Sequence, residues 1–205
     1  MNPTLVIGTG NRKKGRELAE LVAPLGLEVR TLSDFDNVAS VDETGRTFAD
    51  NAALKAVGYA KQLRAWVLAD DSGLCVDALG GLPGVDSALY AGSHGDDEAN
   101  NDKLLRELAG VPREQRTAHY VAHVVLADPT GAIRFRTEDY CCGRILEARE
   151  GVGGFGYDPL FEVIEYHRTF GKLGPTAKAV LSHRARAMRK LLPELKRLLA
   201  AGDWS

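Results

Sequence analysis

Leu5-Val6-Ile7-Gly8-Thr9-Gly10-Asn11-Arg12-Lys13-Lys14 is the stretch from which the rest of the chain is read. Three apolar residues make a buried strand, Gly8 to Asn11 turn, and Leu18, Leu21, Val22 and Leu25 then recur at helical spacing. Strand, glycine turn and helix form an α/β opening. Where a strand hands over to a helix, free backbone N–H groups and the positive helix end converge on one spot, which attracts phosphate. Arg12, Lys13 and Lys14 add mobile charge there, although a basic first turn opposes the helix dipole. The same residues also read as a plain turn with a solvated helix start. Two familiar phosphate motifs fail. Gly10 to Gly15 has Walker A spacing, but Arg16-Glu17 stands where Lys-Ser/Thr is needed, and Gly8-x-Gly10 lacks the third glycine of a dinucleotide fingerprint.

Working outward, Glu28 to Leu32 suggests a second strand, followed by a polar loop from Ser33 to Gly45. Thr47 and Asp50 resemble a capping box for a helix running through Ala52, Ala56 and Ala60. Trp66 to Ala69 is a short buried strand ending at Asp70-Asp71-Ser72-Gly73. A charged helix is expected around Asp97 to Leu108. Tyr120, Ala122, Val124 and Leu126 alternate, Asp128-Pro129-Thr130-Gly131 turns, and Ile133 to Arg136 alternates again, which makes a hairpin. Near the C-terminus, Leu181, Ala185, Met188, Leu192, Leu195 and Leu199 form one helical stripe that Pro193 would kink. The expectation is a single α/β domain over residues 1–205, built on a long mixed sheet, with no repeat and no separable linker.

Composition excludes several classes. With 205 residues, 44% hydrophobic and 26% charged, the chain is an ordinary globular one. At that length it buries roughly 70% of its unfolded surface and needs no disulfide or metal staple. Lys+Arg 26 against Asp+Glu 28 leaves no broad positive field, which argues against nucleic acid as a partner. Cys75 stands alone and Cys141-Cys142 are adjacent, so neither a disulfide framework nor a Cys-x-x-Cys pair exists, and a reduced cytoplasmic compartment fits. No run approaches the roughly 20 apolar residues of a membrane span, and Met1-Asn2-Pro3-Thr4 does not open a signal peptide.

Adjacent Asp70 and Asp71 at a strand end suit magnesium, which takes one or two carboxylates and completes its shell with water and phosphate oxygens. Alone, the pair also reads as a solvated Asp-Asp-Ser-Gly turn. Glu43 offers a further carboxylate. Gly151-Val152-Gly153-Gly154-Phe155-Gly156-Tyr157-Asp158-Pro159 embeds an aromatic pair among glycines. A planar base would cover such rings, with Asp158 accepting from its edge or ordering the loop; equally, Phe155 and Tyr157 tuck into the core. Lys178 and Ser182-His183-Arg184, placed near the start of the C-terminal helix, supply donors for a carbonyl or phosphate oxygen. His119 and His123 share a strand face but lack the further ligands of a zinc set. Zinc-hydrolase and acyl-transfer signatures are missing.

Six segments, in order, resemble the inosine triphosphatase family of house-cleaning pyrophosphatases. They are Thr9-Gly10-Asn11-x-x-Lys14, Phe48-x-x-Asn51-Ala52-x-x-Lys55-Ala56, Ala69-Asp70-Asp71-Ser72-Gly73-Leu74, Gly81-x-Pro83-Gly84-Val85, Gly153-Gly154-Phe155-Gly156-Tyr157-Asp158-Pro159 and Ser182-His183-Arg184. The resemblance covers nearly the whole chain. It implies a long mixed sheet with helices forming two lobes around a cleft, a homodimer, and Mg2+-dependent hydrolysis of inosine- and xanthosine-type triphosphates to monophosphate and pyrophosphate. By the same resemblance, Thr9, Gly10, Asn11, Arg12, Lys13, Lys14 and Lys55 hold the phosphates, and Glu43 and Asp71 bind magnesium. Asp71 also accepts the proton, Ser72 contacts the nucleotide, Phe155, Gly156, Tyr157 and Asp158 form the base pocket, and Lys178, His183 and Arg184 read the 6-oxo purine. Leu89 stands where the family commonly has arginine, and Gly174-Pro175-Thr176-Ala177 replaces an acidic run before Lys178. Maf-like pyrophosphatases share the architecture but lack the Gly-Gly-Phe-Gly-Tyr-Asp and Ser-His-Arg motifs; a non-catalytic nucleotide sensor would not need Asp71 beside a metal.

Overall fold

The computed structural model describes residues 3–204. In chain order its elements are β1 (Thr4–Ile7), α1 (Arg12–Val22), β2 (Glu28–Thr31), α2 (Phe48–Leu63), β3 (Trp66–Val76) and α3 (Asp97–Glu107), then β4 (Thr117–Ala127), β5 (Ile133–Ile145), β6 (Phe161–Val163), β7 (Arg168–Thr169), α4 (Phe170–Leu181) and α5 (His183–Ala201). All seven strands join one sheet in the order β2-β1-β3-β4-β5-β6-β7. Pairing is parallel from β2 through β1 to β3 and antiparallel from β5 through β6 to β7, the mixed sheet that the sequence pattern implies. Two compact units divide the chain: the first holds the residues up to Asp71, Ala122–Asp139 and Arg184 onward, the second Ser72–Val121 and Tyr140–His183. Among the described residues no helix is long and apolar enough to cross a membrane.

In the first unit, β1 lies between β2 and β3 and is covered on both faces, which is why it reads as an unbroken apolar run. Leu5, Ile7, Trp66 and Leu68 pack on one face with α1 and with Met188 and Leu191 of α5. Val6, Val67 and Ala69 point to the other, against Ala52, Ala56 and Ala60 of α2. Alternation along the strands thus assigns each helix its face. Thr47 caps α2, its Oγ1 accepting from the Asp50 N–H at 3.1 Å. On α5, Ala185, Met188 and Leu195 are buried as the stripe predicts, whereas Leu192 and Leu199 are only partly so, and the helix continues through Pro193. Trp204 stacks on Trp66 with ring centroids 4.4 Å apart.

The second unit has its own core, in which Leu74, Val76, Leu104, Leu108, Phe161 and Phe170 meet. Tyr120 there lies 4.6 Å from Phe161 and stacks on His183 at 4.8 Å.

Two sequence expectations need correction. The strand opened by Trp66 does not end at the acids; β3 runs eleven residues to Val76, straight through Asp70-Asp71-Ser72-Gly73. Carboxylates rarely occupy a strand interior, so a turn is the natural reading, but here buried cations meet them and the strand continues. Nor does Leu181 belong to the C-terminal stripe. With Lys178 it sits on α4, which is kinked at Gly174 (φ 77) beside Pro175 and is capped by Ser182, whose extended φ −65, ψ 156 separates it from α5.

Leu68 is fully buried, so Leu68→Ala should cost about 2–5 kcal/mol in urea unfolding, whereas Val152→Ser, in fully exposed loop, should stay within roughly 0.5 kcal/mol.

Candidate functional site

The pairing of β1 with β3 stops at Ile7 opposite Leu68, where the Gly8 N–H donates to the Leu68 carbonyl at 2.8 Å. Beyond that rung β1 turns into α1 while β3 carries on, so Asp70 and Asp71 follow the last rung at the carboxyl end of β1. Ligands of open α/β sheets occupy such ends. Asn11 caps α1, its Oδ1 accepting from the N–H groups of Lys13 at 3.0 Å and Lys14 at 3.1 Å, and Thr9 Oγ1 accepts from the Asn11 N–H at 3.2 Å. Asn11 thus takes up two of the amides at this helix start, those of Lys13 and Lys14. Arg12 and Lys13 are exposed and Lys14 is half-buried.

Asp70 is completely buried and accepts from Arg184 Nε at 2.9 Å, while the same guanidinium, also buried, pairs through Nη1 with Glu17 on α1. Burial alone would raise the Asp70 pKa, but Arg184, Lys14 and Lys55 outweigh it and hold the carboxyl at about 2. Lys55 Nζ donates to two carboxylates, Glu43 Oε2 at 2.7 Å and Asp71 Oδ1 at 3.2 Å. Burial would lower the Lys55 pKa, yet Asp71, Asp70 and Glu43 raise it. Lys14 belongs to the same field: burial pushes its ammonium pKa down, with Asp70 and Asp71 pulling up against Arg184 and Lys55. At Asp71 burial wins, raising the carboxyl above its ordinary value against the pull of Lys55 and Lys14, with Glu43 and Asp70 adding to the rise. A buried carboxylate with raised pKa beside two lysines suits a general base.

Glu43 reaches this place because the polar loop is strapped to α2. Asn51 Oδ1 accepts from the Gly45 N–H at 2.8 Å, and the Tyr59 hydroxyl accepts from the Val41 N–H at 3.4 Å. A Cβ at Gly45 would come within 2.6 Å of Asn51 Oδ1, so only glycine fits. Asn51 stands in the sequence only as part of a motif shared with the family; its role needed the loop beside it. Glu17 also escaped notice, although an acid three residues after Lys14 shares its helix face.

In the second unit the glycine loop is ordered from within. Asp158 Oδ2 accepts from the Phe155 N–H at 2.9 Å and from Lys178 Nζ at 2.5 Å, and that ammonium sits 4.0 Å above the Phe155 ring. Gly154 has φ 76, and a Cβ there would fall 2.0 Å from Asp158 Oδ2. Asn101, buried on α3, donates from Nδ2 to the Gly156 carbonyl at 2.9 Å. Of the aromatic pair, Tyr157 follows the core reading. Tyr157 is in the core with its hydroxyl donating to the Ser87 carbonyl at 2.8 Å, whereas Phe155 keeps a partly exposed ring. Ser72 and His183 are buried in this unit, and Arg184 belongs to the first. His123 pairs with Glu138 at 2.8 Å, and His119 lies edge-on to Tyr140.

Among the described residues no group of three or more His, Cys, Asp or Glu is placed to hold a metal ion. The donors for a hard cation are two carboxylates on one shared lysine. Buried Asp71 Oδ2 has no hydrogen-bond partner among the described residues, so an oxygen is available, and magnesium needs no more than one or two such ligands.

Residues 5–194 match the Ham1 family. The chain is 53% identical to a dITP/XTP pyrophosphatase of Rhodopirellula baltica, over 98% of this chain and 97% of that one, and 48% identical to another of Desulforamulus reducens, over 95% and 96%. Among solved structures, a HAM1 protein of Coxiella burnetii superposes with a TM-score of 0.85 at 34% identity, covering 95% of this chain and 98% of that one. A nucleoside-triphosphatase, also titled dITP/XTP pyrophosphatase, of Mycobacterium abscessus gives 0.75 at 41% identity, covering 93% and 99%.

Removing one partner of a buried ion pair leaves a desolvated charge, so Asp70→Ala should destabilise the fold by about 3–5 kcal/mol in urea unfolding. A loss under roughly 1 kcal/mol would mean that Arg184 does not depend on Asp70.

Proposed function

The chain belongs to the Ham1 family, and we propose that it hydrolyses non-canonical purine nucleoside triphosphates, of the ITP, dITP and XTP kind, to the monophosphate and pyrophosphate with Mg2+. The observation that carries this is Lys55 holding Glu43 and Asp71 together, with Lys14 in the same electrostatic field. Carboxylates and a polyphosphate repel unless cations stand among them. Taken by itself, the second unit carries a partly exposed ring with an ammonium and a carboxylate beside it, groups that suit a purine base. The names of the relatives support the same substrate class.

Glu43 and Asp71 would hold the magnesium, which when bound supplies charge to offset the triphosphate. Asp71 takes a proton from the water that attacks the α-phosphorus in line. Lys14 and Lys55 stabilise the negative charge growing on the departing pyrophosphate, and Thr9 to Lys13 line the turn that receives it. In the base pocket, Phe155 offers a stacking face and Lys178 a donor for a 6-oxo group. A 6-amino base presents a donor to that donor, and such a mismatch discriminates strongly. By the resemblance His183 and Arg184 join Lys178 in reading the base; Arg184 also pairs with Asp70 and Glu17. The proposal extends to a homodimer in the cytoplasm, a compartment with which three cysteines and no disulfide agree.

Wild-type protein should release pyrophosphate, not orthophosphate, from ITP and XTP with Mg2+ and turn ATP over at least tenfold more slowly; equal rates would overturn the base reading. Asp71→Asn should lower kcat at least a hundredfold with circular dichroism unchanged. Phe155→Ala should raise KM for ITP roughly tenfold, as loss of one stacked ring predicts, with a smaller change in kcat.

A further inference from the structure

Lys55 stands where a cation would be expected. One ammonium spans the two carboxylates that would hold the metal, 2.7 Å from Glu43 Oε2 and 3.2 Å from Asp71 Oδ1. Its side chain and that of Asp71 are only 8% and 9% exposed, so little water shields them, whereas Glu43 is 46% exposed and leaves the pair open to solvent on one side. Without Lys55, two neighbouring anions would face each other in a poorly solvated place, which costs free energy. Asp71 Oδ2, buried and lacking a partner among the described residues, is the oxygen this lysine does not satisfy.

We infer that Lys55 is a resident cation of the metal site: it holds Glu43 and Asp71 in register while no metal is bound, and a divalent cation enters by displacing it. The inference rests on the metal reading above. It gives Lys55 a second task besides phosphate binding, that of a positioning residue for the carboxylates. A metal drawing on the same two carboxylates, whether through Asp71 Oδ2 or through the oxygens Lys55 now holds, would lie close to the ammonium and repel it, so the two cations cannot share the pair on equal terms. Metal loading therefore frees the ammonium, which then faces the phosphate chain instead of the protein's own carboxylates. Such an exchange keeps the number of uncompensated buried charges low in both states.

The test uses Mn2+ in place of Mg2+ and nucleotide-free protein, with free Mn2+ counted by electron paramagnetic resonance. Lys55→Met keeps the unbranched stem and removes the charge. It should bind Mn2+ at least tenfold more tightly than wild type, and Mn2+ should raise its Tm by more than it raises that of wild type. Should Lys55→Met be unfolded alone and fold on adding Mn2+, the exchange is equally supported; failure to fold with Mn2+, or affinity unchanged or weaker, overturns it. A second measurement needs no variant: amine acetylation of the wild type, mapped by mass spectrometry, should label Lys55 faster once Mn2+ is bound, and an unchanged rate at saturating Mn2+ counts against displacement. Glu43→Gln separates the two levels of the argument. If it leaves Mn2+ binding intact, the metal assignment fails and the exchange with it, whereas Glu43-dependent binding that ignores Lys55 sinks the exchange alone.

Discussion

Two carboxylates in the interior of a strand impose a requirement on everything around them. Asp70 and Asp71 are buried in β3, and no sheet can carry adjacent charges there unless cations come to meet them. Arg184 comes from the start of α5, Lys55 from the middle of α2 and Lys14 from the first turn of α1. Three helices of the first unit are thus tied to one point on one strand, and apolar packing on both faces of β1 and β3 keeps them there. The acids come first in this account, and the basic residues answer them.

The neighbours behave differently because their surroundings differ. Asp70 meets a guanidinium directly and stays ionised at any ordinary pH, which suits a structural anchor. Asp71 shares one ammonium with Glu43, and burial prevails over attraction, which suits a group that must accept a proton. One covalent step along the chain separates a carboxyl whose pKa is held low from one whose pKa is pushed up. In the second unit the same economy recurs on a smaller scale, where Asp158 both shapes the glycine loop and holds the Lys178 ammonium over Phe155.

Much of this could be read before any coordinates. The strand-turn-helix opening, the Thr47 cap, the central hairpin and the mixed sheet follow from periodicity and turn chemistry, which act over a few residues. Candidate chemistry was legible too, since Lys14, Asp71, Phe155 and Lys178 belong to types whose charge or shape demands a partner, whereas Lys55 was marked only by the family resemblance. What failed were readings that assumed the ordinary fate of a residue type. Consecutive acids look like a turn until a buried arginine is known to face them. Leu181, which the leucine stripe assigns to the C-terminal helix, ends α4 instead, because periodicity does not reveal that Ser182 is extended.

By itself the sequence determined the local grammar: which segments are strands or helices, which face of each is apolar, and which side chains carry charge or a planar ring. Only tertiary structure decided the pairings. Glu17 with Arg184, Glu43 with Lys55, and Asn101 with Gly156 are separated by 12 to 167 positions, and nothing in the chain's periodicity selects one distant partner over another. The reason is that a charge states only that it must be answered. Which residue answers it depends on how strands register and helices pack, and that is settled by apolar contacts whose own sequence carries no trace of the charges they bring together.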